Sequence, residues 1–228
     1  MLVGVGLALF SSISLGAQAQ DNGPLAPDSP YRYDLLDPIW ANGRGVTNGV
    51  GTGIFNATLK DKNSKLVARY SVCNDLAQHI APPYTYTTSE VRFFAAATAT
   101  ANTAPAMANR RKVAFLIDFY LKPSIASTKK SATFQQVVWN LWNGRQIYTG
   151  SGTQYDASWY NTLMNVVNGV GAGNVDRSNY ISNTAIWVRN SSYQDQLMTL
   201  IPEPAFYQMS ALLTLGGVGL LRMRRKRK

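Results

Sequence analysis

The chain has 228 residues, 46% of them hydrophobic. That is room for one ordinary domain with appendages, and it excludes a wholly disordered protein. Charged residues make up only 15%, yet Lys+Arg outnumber Asp+Glu by 22 to 12, a formal +10 that invites a nucleic-acid reading. One Cys and one His exclude an intramolecular disulfide, a Cys-rich metal site and a multi-histidine metal centre.

Residues 2–10 form an apolar run, residues 11–16 are small and polar, and Ala17-Gln18-Ala19 fits the small-x-small cleavage rule. The pattern predicts a signal peptide over 1–19, with a mature start at Gln20. No Lys or Arg precedes the apolar run, a departure that an internal start at Met1 would explain. Residues 20–44 are rich in Asp, Pro, Asn and Gly and read as an irregular lead-in, with Leu35, Ile39 and Trp40 packed onto the body that follows.

The body spans 45–201. Its first stretch, 45–59, is Gly-, Asn- and Thr-rich and predicts short strands and turns. In 66–73, Leu66, Ala68, Tyr70 and Val72 alternate with Val67, Arg69, Ser71 and Cys73, a strand signal. Residues 81–90 read as a loop or edge strand.

Three helices are expected next. Val113, Leu116, Ile117, Tyr120 and Leu121 stand at helical spacing and Pro123 stops the run. The second helix covers 131–142. The third runs over 158–168, with Trp159, Leu163, Val166 and Val167 inward and Gly169 as its C-cap. Residues 169–174 are a glycine-rich loop without the Gly-Lys-Ser/Thr of a phosphate cradle. Residues 184–188 and 196–201 read as closing strands. Helices in the middle and strands at both ends predict an α+β domain without a fixed-period repeat.

Residues 205–221 carry no charge, and Arg222, Arg224, Arg225, Lys226, Arg227 and Lys228 follow. An apolar run close to the roughly 20 residues of a spanning helix, with a basic cluster directly after it, is the stop-transfer pattern. It predicts a transmembrane helix with the C-terminus in the cytoplasm and the body outside. Most of the +10 is therefore topological signal, and nucleic-acid binding is set aside.

Two internal features bear on chemistry. A lone Cys73 in an exported chain draws attention because oxidising compartments favour even numbers of Cys or none; its plain reading is a small buried hydrophobe. On the second helix, Phe134, Val137, Val138, Leu141 and Trp142 form an apolar face. Gln135 falls at the edge of the buried side, between Trp142 and Trp139, and Gln136 falls on the polar side with Asn140 and Asn143. A buried Gln135 amide requires a partner, as an ordinary hydrogen bond to backbone or as a functional group.

Pro202-Glu203-Pro204, the apolar stretch and the arginine-rich end together resemble the PEP-CTERM sorting signal of Gram-negative bacteria, over 202–228. The resemblance implies export, transient retention in the inner membrane, cleavage near the PEP motif by an exosortase-type protease, and delivery to the cell surface or extracellular polymer matrix.

The body resembles bacterial thioester domains. The blocks are Tyr70-Ser71-Val72-Cys73-Asn74-Asp75-Leu76, Val113-Ala114-Phe115-Leu116-Ile117 and Phe134-Gln135-Gln136-Val137-Val138-Trp139. The closing stretch from Ala185-Ile186-Trp187-Val188 through Gln194-Asp195-Gln196-Leu197 is also similar to the group found in PEP-CTERM proteins. A second Gln follows Gln135 where that pattern has Leu or Ala. The resemblance implies a thioester-domain-like fold of β-sheet or barrel elements around a central helical segment. It also implies a thioester between Cys73 and Gln135 rather than Gln136, opened by an amine on a surface polymer or protein, with no cofactor and no metal. Trp139 and Trp142 are candidates to shield it from water. Asp75 and His79, close by in sequence, would move a proton; their plain readings are a turn residue and a structural or surface histidine.

Three functions compete: a covalently reactive adhesion protein, a non-reactive structural protein of the polymer or biofilm layer, and an exported enzyme. Glu90 and Glu203 are the only glutamates, the single His lacks an evident partner and no Gly-x-Ser-x-Gly occurs, which disfavours a hydrolase.

Overall fold

The structure, a computed structural model, describes residues 31–43, 45–47, 50–74, 85–87, 90–93, 104–144, 154–182, 184–189 and 195–201. The elements in chain order are β1 (Arg32–Trp40), β2 (Gly45–Thr47), β3 (Val50–Thr52), β4 (Phe55–Lys60), β5 (Leu66–Cys73), β6 (Thr85–Thr87) and β7 (Glu90–Phe93). Three helices follow, α1 (Ala104–Ser124), α2 (Thr128–Trp142) and α3 (Ala157–Asn168), and then β8 (Ala185–Arg189) and β9 (Gln196–Leu200). The α+β class is thus observed. The signal peptide, the PEP motif and the apolar and basic tail lie outside the described residues. Among the described residues no helix is long and apolar enough to cross a membrane.

Seven strands form one antiparallel sheet in the order β6-β1-β4-β5-β9-β8-β7, and β2 and β3 form a separate hairpin. The two closing strands meet the middle of the sheet: β9 sits between β5 and β8. The expected irregular lead-in is corrected here, because residues 32–40 form β1, paired with β4 and β6. Composition hid this strand, since its Asp and Pro residues suit a turn, whereas Tyr33, fully buried, and Trp40, stacked on Phe55 at 4.5 Å, are what tie it down.

Both faces of the sheet are buried, and the alternation of side chains sorts them. Along β8, Ala185 and Trp187 join the helices' core, whereas Ile186 and Val188 join a second core with Tyr33, Phe55, Ala57, Leu59, Ala68, Cys73 and Met198. The sheet curls around this second core.

The helices begin and end where the sequence supplies caps. Ser127 accepts from the Lys130 N–H, and Asp156 from the Trp159 N–H. Gly169 closes α3 at φ 70°, a left-handed conformation that glycine adopts without penalty. Behind α1, Asp118 accepts from Tyr180 Oη and Thr184 Oγ1, both at 2.7 Å. Burial pushes its carboxyl above the ordinary aspartate value, and hydrogen bonds from Ser182, Thr184, Tyr180 and the Ala185 N–H offset this only in part. These bonds fix the entry into β8.

From Ser131 to Leu141, helix α2 has no solvent side. Every residue from Ser131 to Leu141 is buried, between α1 and α3 on one flank and β2, β3 and β5 on the other. Gln136, expected on a polar face, is therefore buried, and so is Asn140. An amphipathic pattern predicts one wet side, and a helix covered by both layers has none.

Candidate functional site

Strands β4 and β5 run antiparallel, so the start of β4 and the end of β5 lie at the same end of the sheet. The stripe Ser131, Gln135 and Trp139, spaced four residues apart, presents one face of α2 to those strand ends. Ser131 Oγ accepts the Ile54 N–H at 2.7 Å. Trp139 enters the second core beside Cys73. Between them, Gln135 engages the main chain of Cys73 twice: the Cys73 N–H donates to Oε1 at 3.0 Å, and Nε2 donates to the Cys73 carbonyl at 2.7 Å.

The sheet explains why the clasp closes on Cys73. Asn74 N–H donates to the Asp195 carbonyl, towards β9. Successive residues of an antiparallel strand point their main-chain groups to opposite sides, so Cys73 points its own away from β9. That side belongs to β4 further along, where Ser71 pairs with Phe55, but β4 begins at Phe55, short of Cys73. The Gln135 amide takes the place of the missing strand residue.

The side chain of Cys73 is aimed by an irregularity. Arg69 pairs with Thr199 and Ser71 with Met198, so Tyr70 is an extra residue in β5 opposite β9. Tyr70 has φ 60°, a left-handed conformation that is costly for an aromatic side chain. The extra residue shifts the phase: Cys73 falls on the face of Ala68, in the second core, instead of on the face of exposed Arg69. Strict alternation over 66–73 is corrected accordingly.

Cys73 is 3% exposed and Gln135 1%. Across the ladder from Cys73 stands Gln196, fully buried, whose Nε2 donates to Cys73 Sγ at 3.5 Å. Beside them, Ser71 Oγ and Tyr33 Oη share a hydrogen bond of 2.8 Å.

The structure thus brings together Cys73, Gln135 and Trp139. Trp142 packs against the helices' core instead, edge-on to Trp187 at 5.8 Å, with the Arg110 guanidinium over its ring. Asp75 and His79 lie outside the described residues, as do Pro202, Glu203, Pro204 and Arg222 through Lys228. No group of three His, Cys, Asp or Glu side chains among the described residues is placed to hold a metal ion. Sequence reasoning missed Gln196 as a member of the site. Its signal was there: in Gln196-Leu197-Met198, the Gln shares the inward face of Met198, where an apolar residue is the norm.

Chemically, the clasp polarises an amide. An N–H on Oε1 is placed to stabilise negative charge that would develop there under nucleophilic attack, in the manner of an oxyanion donor. The same residue that supplies this N–H carries the only thiol of the chain. No protein-family model, curated protein or solved structure matches the chain.

Proposed function

We propose that this is an exported, exosortase-sorted protein of the cell surface or extracellular matrix, which attaches to a partner amine through an internal thioester between Cys73 and Gln135. The observation that carries the reading is the double hydrogen bond between the Gln135 amide and Cys73, buried beside Trp139. Amides resist thiols in water, so alignment must supply the rate, and well-oriented groups gain about 7–11 kcal/mol in this way. The Cys73 thiol displaces ammonia from Gln135; an amine on the partner then displaces the thiol and leaves the Gln135 side chain in an amide bond to the partner. The chain is no enzyme in this reading beyond forming its own bond. Export and sorting rest on the resemblance at the two ends.

A second reading is favoured by the same bonds. Both main-chain groups of Cys73 are satisfied by Gln135, so the amide also serves as a purely structural clasp in a non-reactive matrix protein. Incubation of the folded protein with a tagged primary amine separates the two. The reactive reading expects label on residue 135 and none in Cys73→Ala; absence of label on the native protein would leave the structural reading.

A further inference from the structure

Resting on the thioester reading, we infer that Gln196 is the residue that holds the Cys73 thiol in the attacking position. Cys73 and Gln196 face each other across β5 and β9. The main-chain groups of Cys73 point to α2 rather than β9, which makes the two a non-hydrogen-bonded pair, the arrangement in which facing side chains come closest. Gln196 is fully buried. Its Nε2 reaches Cys73 Sγ at 3.5 Å. Cys73 is therefore held at both ends, its backbone by Gln135 and its sulfur by Gln196.

A sulfur so held cannot turn freely about Cα–Cβ, and an N–H pointing at it favours the electron-rich sulfur that attacks. In the step itself Sγ adds to the Gln135 side-chain carbon. The C–S bond forms, the C–N bond breaks, and Nε2 leaves as ammonia carrying the proton the thiol gives up. Nothing is oxidised or reduced. Gln196 remains unchanged.

The test follows ammonia loss by intact mass as the full chain, isolated unfolded from inclusion bodies with Cys73 and Gln135 still unlinked at the full sequence mass, is folded by dilution from denaturant. Gln196→Met removes the donor at similar volume, and Gln196→Asn keeps the amide but withdraws it by one methylene. Both variants are expected to lose ammonia about tenfold more slowly or worse, the cost of one hydrogen bond to a charged group. The single S–H stretching band of the thiol form should also move in both, which reports the lost Nε2 contact, and the slowing of ammonia loss in variants that fold with native stability is the readout a merely structural role would not move. If Gln196→Met does not fold, Gln196→Asn carries the test. Folded variants that lose ammonia at the native rate would overturn this role and leave the thioester standing. A native chain that never loses ammonia would remove the thioester, and the role of Gln196 with it.

Discussion

Replacing Gln135 by Met in a Cys73→Ala background isolates what the clasp contributes to stability. The background removes the thiol, so no thioester can form, while the main-chain N–H and C=O of residue 73 remain for Gln135 to engage. The second substitution then takes away two buried hydrogen bonds, of 3.0 and 2.7 Å, from the main-chain groups at the end of β5. Each buried bond lost costs about 1–3 kcal/mol, so the gross loss is roughly 2–6 kcal/mol. Met offsets part of this, because it buries apolar surface where Gln buried an amide, and a net loss of about 2–4 kcal/mol is expected. Against a total stability of roughly 5–15 kcal/mol, that is a large fraction. Guanidinium unfolding of the single and double variants at fixed temperature gives the difference directly. A difference below about 0.5 kcal/mol would refute the clasp, since it is smaller than one net hydrogen bond.

Three further outcomes follow from the same geometry. Ser131→Ala orphans the buried Ile54 N–H and should lower stability by about 1–3 kcal/mol in the same unfolding assay, with Ser158→Ala, at an exposed position of α3, as a neutral control. Tyr70→Val should be less stable than Tyr70→Asn by about 1–2 kcal/mol, although Val is the better strand former, because a β-branched residue tolerates φ 60° worst; the reverse order would mean that residue 70 does not hold the left-handed conformation. Asp34 is the pH test. Burial pushes its carboxyl up, but hydrogen bonds from Thr85 and Arg32 and the charges of Arg32 and Lys60 outweigh burial and hold it below the ordinary aspartate value. Its contribution is therefore present above the unfolded-state value and lost as pH falls through the lower folded one. Asp34→Asn should flatten that acid limb of the stability profile, and an unchanged limb would show the carboxylate adds nothing.

The helices were legible because their signals are local: apolar spacing and Gly169 past the end of α3; Pro123, expected to stop the first run, falls inside the last turn of α1, which ends at Ser124. The strand ending in Cys73 was legible as an element but not in phase, since an extra residue such as Tyr70 is decided by pairing with β9 and leaves no mark on composition. Strand β1 was hidden because a chain with Asp and Pro becomes a strand only when neighbours on both sides accept it. Gln135 was found at the boundary of the apolar face, whereas Gln136 was misplaced because only tertiary packing shows that α2 is covered on both flanks. Gln196 was invisible as a partner until the ladder set it opposite Cys73, more than a hundred residues earlier.

The central claim concerns one covalent bond, and the intact mass of the purified, untreated protein reads it directly. A thioester between Cys73 and Gln135 predicts a mass one ammonia below that of the sequence, no alkylation of the native protein at Cys73, and, after methylamine, a methylamide at Gln135 with the thiol released. The full sequence mass, with Cys73 alkylated once the chain is unfolded and Gln135 unmodified, would contradict it.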